Sequence, residues 1–197
     1  VALVFGPPVL ADDDPVVRQV LRTCGVTLNG GAVVGGGGLS LADIKVFLTD
    51  RREEVDDGVL DATEEGEVFT DVRWWGADAV LHDGVSPYAL SVALPAEGYW
   101  RLADPPNIDT IVYIHGYTYD TNLAASDVLE AWADHLKLEF DFSDGSGSYQ
   151  RSQKIANLLE MADRFRRRGR VTNTELTRRD MYPQTHNWLP VNEQWGP

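Results

Sequence analysis

Cysteine is almost missing from this chain: Cys24 stands alone among 197 residues. No internal disulfide can form, and a lone cysteine of this kind is expected to be a small buried hydrophobe in a chain folded in the cytoplasm. Long apolar runs are missing too. No stretch of about 18 apolar residues occurs, which excludes a membrane-spanning helix of ordinary length. The opening VALVFGPPVLADDDP lacks the basic start and long apolar middle of a signal peptide. Histidine is sparse and scattered, at His82, His115, His135 and His186, with no HxH or HExxH pair. That spacing argues against a zinc site. Asp12 to Asp14 lack the glycine and distal glutamate of a calcium loop, and Gly35 to Gly38 lack the Lys-Ser/Thr of a phosphate loop. Neither a metal nor a cofactor is expected.

Cations are scarce over most of the chain. Residues 1–150 hold 8 Lys/Arg against 26 Asp/Glu, a balance of −18. Residues 151–197 reverse this, with 9 against 5, a balance of +4. Such a body does not wrap nucleic acid, because DNA binding is driven by counterion release on basic contacts. Two readings of the asymmetry stand: an acidic body with a basic arm for an acidic partner, or a solvated acidic surface with a basic last helix.

What is present is enough hydrophobic residue, 43%, to build a core. Residues 1–11 read as an apolar, Pro-interrupted arm. Asp12 to Asp14 with Pro15 start a helix carrying Val16, Val17, Val20 and Leu21, stopped at Gly25. Residues 29–38 read as a Gly-rich loop. Ser40 and Asp43 cap a second helix with Leu41, Ile44, Phe47 and Leu48 on its buried stripe. Residues 53–66 are acidic and loop-like. Alternation then predicts strands at 68–74, 79–82, 88–94 and 99–102, ended by Pro105-Pro106. From Ile108 to Leu138 the spacing predicts helix, broken near Gly116 to Thr121, with LAASDVLEAWADHL its best part. Ser148 opens a last helix with Ile155, Leu158, Leu159, Ala162 and Phe165 on one face. Residues 171–197 are polar and aperiodic. They bury too little alone to offset their ordering entropy, and their two tryptophans point to a partner.

One segment imitates an enzyme. Asp109 to Thr118, DTIVYIHGYT, resembles the strand and oxyanion loop of α/β-hydrolases. That fold also needs a G-x-S-x-G elbow, and none occurs here; Gly145-Ser146-Gly147-Ser148 has the residue types in the wrong order. No catalytic residue is assigned, and the chain is expected not to be an enzyme. The arginines near the end of the last helix have two readings. They balance a helix C-terminus, at about 0.3–1 kcal/mol per charge, or they contact DNA or an acidic partner. The candidate partner-binding residues are Arg164, Arg166, Arg167, Arg168, Arg170, Arg178, Arg179, Tyr182, Trp188 and Trp195.

Between Ile108 and Arg170, an Ala-rich helix (Leu123 to Leu138) leads into an acidic-aromatic strap (Glu139 to Phe142). A hinge follows at Asp144-Gly145, Ser148 and Arg151-Ser152-Gln153-Lys154, and then a helix from Ile155 to Arg168 with an Arg-rich end. This arrangement resembles the head–tail adaptor (connector) proteins of tailed bacteriophages over about a third of the chain. The resemblance implies a small helical bundle with a C-terminal arm. The chain departs from it at 53–106, where alternation reads as a β-rich insertion. The expected fold is therefore mainly α: a small helical bundle with a β-rich insertion and an extended C-terminal arm. The parts run 1–52, arm and first bundle helices; 53–106, β-rich insertion; 107–170, bundle core; and 171–197, C-terminal arm. It implies a structural virion protein made in the host cytoplasm. Its homo-oligomeric ring of about twelve copies docks on the portal in the neck, beside the next neck or tail-completion protein. Genomic DNA would pass through the acidic lumen without sequence-specific binding. Phe140 and Phe142 would anchor the turn between the last two helices. The alternatives are a minor capsid or head-completion protein, and a hydrolase built around His115-Gly116.

Overall fold

A computed structural model describes residues 10–29, 32–35, 38–105, 111–138 and 148–169. Helix α1 (Pro15–Thr23) begins where Asp14 accepts a hydrogen bond from the Val16 amide at 2.8 Å, with Pro15 in the first turn. It buries Val16, Val17, Val20 and Leu21. A short hairpin, β1 (Thr27–Asn29) and β2 (Ala32–Val34), follows where the sequence suggests a loop. Helix α2 (Leu41–Asp50) starts on a full capping box, Ser40 and Asp43 satisfying each other's backbone amides.

Next come β3 (Arg52–Leu60), β4 (Glu67–Phe69), β5 (Val80–His82) and β6 (Leu90–Leu94). A 3-10 turn at Pro95–Glu97, β7 (Tyr99–Leu102) and β8 (Val112–Tyr119) complete the strands. Two long helices follow, α3 (Thr121–Leu138) and α4 (Ser148–Gly169). The larger strands form two antiparallel sheets, ordered β3-β8-β5 and β4-β7-β6.

Strand β8 is where the layers meet. Successive side chains of a strand point to opposite faces. Val112 and Ile114 face one core, with Leu60, Val68, Trp75, Leu81, Trp100 and Leu102. Tyr117 and Tyr119 face the other, with α1, α2 and α3 and the buried Leu158 and Ala162 of α4. Both edges of β8 are also taken. β3 pairs along one side from Arg52↔Tyr119 to Leu60↔Val112. On the other side β5 pairs with the first half, and Trp74 to Gly76 with the second: Tyr119 N donates to Trp74 O at 3.1 Å, and Gly76 N donates to Tyr117 O at 2.8 Å.

The fold is therefore mixed α/β, not mainly α: among the described residues, four helices hold 42% and strands 29%. Two segments carry the difference. Residues 53–66 read as an acidic loop, but Arg52–Leu60 is a strand whose outward positions hold Glu53, Glu54, Asp56 and Asp57. Ile111 and Ile114 fit a helical spacing, but VYIHGYTY is a buried strand of β-branched and aromatic residues. Because β3 and β5 pair with β8, one sheet joins residues on both sides of the 106/107 boundary. The strap from Glu139 to Phe142, with Phe140, and the C-terminal arm 171–197 lie outside the described residues.

If β8 joins both cores, truncating it is costly. Ile114→Ala, at a position 1% exposed, should destabilise by about 3 kcal/mol in chemical denaturation. Val59→Ala on neighbouring β3, 51% exposed, should cost under about 1 kcal/mol. Equal effects would contradict this packing.

Candidate functional site

Four of the arginines singled out in the sequence, Arg164, Arg166, Arg167 and Arg168, sit on α4, which packs along α3. Leu158 and Ala162 are its buried contacts, with Ile155, Met161 and Phe165 beside them. Lys154 lies over the Trp132 ring at 5.1 Å. The arginines do not act alike. Arg166 reaches across to Glu130 of α3 and also approaches Asp163 at 3.7 Å. The hydrogen bond to Glu130 pushes the Arg166 guanidinium pKa further up. Arg166 is thus a clasp between helices. Arg164 pairs with Glu160 one turn earlier, in the favourable acid-first order. Arg168 lies over Phe165 at 5.7 Å. Arg167 and Arg168 are exposed, so they are the cations this end of α4 offers outward. Arg170, Arg178, Arg179, Tyr182, Trp188 and Trp195 lie outside the described residues.

The end of α4 abuts the start of α3. A side chain at Gly169 would collide with Leu123 at 2.6 Å and with Asp120 Oδ2 at 2.8 Å. Asp120 caps α3, its Oδ1 accepting from the Asn122 and Leu123 amides at 3.0 and 2.9 Å. Its Oδ2 is buried with no hydrogen-bond partner among the described residues. Burial pushes this carboxyl above its ordinary value, offset in part by the two amides.

A second polar group, of which the sequence singles out only His115, lies on the β3-β8-β5 sheet. Asp56 and Asp57 fill a bulge in β3, between Val55↔Gly116 and Gly58↔Ile114. A bulge re-aims side chains, and here each aspartate meets a histidine. His115 Nδ1 lies 3.0 Å from Asp56 Oδ1, and His82 Nε2 lies 3.2 Å from Asp57 Oδ1. The Gly84 amide donates to His82 Nδ1 at 3.1 Å, so Nε2 carries the proton that points at Asp57. The His82 ring stacks on Tyr113 at 5.7 Å. Asp78 is a further carboxyl in the field of His115, its pKa raised by burial. Nearby, Arg52 covers the Tyr117 ring at 5.0 Å, and burial drives the Tyr119 hydroxyl to about 12.

Both ring nitrogens of His82 are engaged, so this ring is held in place rather than offered for proton transfer. Among the described residues, no group of three or more His, Cys, Asp or Glu is placed to hold a metal ion. Cys24 is buried, its thiol pushed up to about 12 by burial, which makes it inert. Nothing in the sequence signals the pairing of Asp56 with His115, because Arg52 to Leu60 (REEVDDGVL) shows no strand alternation before Gly58. Comparison with family models, with curated proteins and with solved structures gave no significant match.

The buried Asp120 gives stability a defined pH slope. Its folded pKa is raised, so its contribution is fully present below the ordinary carboxylate value near 4 and is lost as pH rises through the folded value. Asp120→Asn keeps one oxygen for the cap and removes the buried charge. The variant should gain stability relative to the parent progressively above about pH 4, read by urea unfolding at a series of pH values. A difference that does not change with pH would show that Asp120 titrates normally.

Proposed function

We propose that this chain is a structural assembly protein rather than an enzyme, and in its finer form a head–tail adaptor in the neck of a tailed phage. About twelve copies would form a ring that docks on the portal, touches the next neck or tail-completion protein and lets DNA pass. The helical bundle implied by the resemblance no longer supports this. The observation that carries it is the separation of charge on one subunit. β3 presents Glu53, Glu54, Asp56 and Asp57 outward, whereas the end of α4 presents Arg167 and Arg168. Unlike surfaces of this kind favour a head-to-tail contact, which closes into a ring when the rotation fits. The acidic body would keep DNA phosphates from sticking to the lumen wall. A minor capsid or head-completion protein would use the same surfaces with a different copy number.

The hydrolase reading has one observation in its favour. The His115-Gly116 segment lies in a buried strand that runs straight into α3, and Asp56 holds the His115 ring. Against it, both edges of β8 are occupied by antiparallel neighbours. An alternating α/β fold needs a parallel strand there. Turnover of p-nitrophenyl esters that is lost in His115→Ala would favour the hydrolase; we expect none above buffer.

The assembly reading is tested by native mass spectrometry of the protein alone and mixed with a portal ring from the same source. A monomer alone that becomes about twelve copies on the portal is the expected result. Charge reversal at Arg167 and Arg168, which spares the Arg166 clasp, should weaken that binding at least about tenfold. Rings that form equally well with both residues reversed would remove the docking role.

A further inference from the structure

The last turn of α4 is held differently from the rest of that helix. Its buried apolar anchors, Leu158 and Ala162, both lie before that turn. Beyond Ala162 the hold passes to the half-buried Phe165, to the Arg166–Glu130 clasp and to Gly169. Gly169 is buried against α3. It approaches Asp120 so closely that a Cβ there would lie 2.8 Å from Asp120 Oδ2. Two of these three contacts are polar, which exposes the end of the helix to control by charge.

Asp120 is 7% exposed, and its two oxygens meet opposite ends of two helices. Oδ1 accepts from the Asn122 and Leu123 amides, at the positive end of α3. Oδ2 lies beside the final residue of α4, the negative end, where the last carbonyls point along the axis. An ionised carboxylate therefore suits α3 and opposes α4, whereas a protonated one offers α4 a donor. The charged neighbours do not settle this conflict. Arg51, at the end of α2, favours the ion, but it is bound to Asp127 at 2.7 Å, and Asp127 opposes the ion. On α4, Arg166 is taken by Glu130, and Arg167 and Arg168 are exposed.

We propose that Asp120 is a proton-controlled latch on the end of α4. The neutral carboxyl donates from Oδ2 to the carbonyls of the last turn and holds that turn down; the ionised carboxyl lets it lift. Burial raises the folded pKa. The latch is therefore closed at low pH and opens as pH rises through that folded value, above the ordinary carboxylate value near 4. Opening is confined to the last turn, because Leu158 and Ala162 keep the rest of α4 on α3. The turn that lifts is the one that carries Arg167 and Arg168. The latch is a property of the subunit and does not depend on what those arginines meet.

Electron spin resonance of the full chain, labelled with a nitroxide at Arg168→Cys, tests this from about pH 4 to pH 8. Cys24 is buried, with its thiol pushed up to about 12, so it does not compete for the label. The immobilised component of the spectrum should dominate at the acid end and be lost as pH rises, with circular dichroism unchanged. A label at the exposed Asn157→Cys, earlier on α4, should not respond. Asp120→Asn keeps an oxygen for the α3 amides and an N–H donor for α4, so its Arg168→Cys label should stay immobilised at every pH. Asp120→Ser, which caps without a charge, replaces it if the asparagine variant does not fold; its spectrum should not change with pH. Gly169→Ala forces the turn away from Asp120 and should leave the label mobile throughout. A parent spectrum that does not change with pH would overturn the proposal. So would the same transition in the uncharged variant, or a transition shared by the Asn157→Cys label.

Discussion

Strand β8 is hydrogen-bonded along both edges and packed on both faces, and the rest of the fold is arranged around that. Each of its amides and carbonyls is costly to bury unpaired, and β3, β5 and Trp74 to Gly76 supply the partners. Gly116 fits the same constraint: a Cβ there would meet the Ala79 Cα at 2.9 Å. With its edges satisfied, β8 can present Val112 and Ile114 to one core and Tyr117 and Tyr119 to the other. The helical layer and the β4-β7-β6 sheet do not need to touch to be linked.

This arrangement decides which chemistry has room. Asp56 and Asp57 reach His115 and His82 only because β3 bulges where it crosses β8. The same closure of both β8 edges leaves no place beside it for the parallel strand that a hydrolase sheet would need. The surfaces left facing outward are the acidic β3 edge, the arginines at the end of α4, and the uncharged β6 edge with its apolar face.

The helices were legible in the sequence because their ends carry local chemistry. Asp14 with Pro15, and Ser40 with Asp43, cap within three residues, so pattern alone finds them. β5, β6 and β7 were legible by alternation. β3 was not, since its exposed positions hold acids and its buried ones come only at Gly58 and Leu60. β8 was obscured by the chance helical spacing of Ile111 and Ile114. The arginine run was visible, but the role of Arg166 was not, because Glu130 lies 36 residues away in the chain. The histidine–aspartate pairs depend on strand register, which composition does not encode.

The central claim is that β8 makes one cooperative unit of both layers, and native-state hydrogen exchange tests it most directly. Amides of Val112 to Tyr119 should exchange only through global unfolding, with the same free energy as the slowest amides of α3 and β7. If the helical layer and the β4-β7-β6 sheet instead opened separately, with β8 exchanging alongside only one of them, the two cores would be independent and the account would fail.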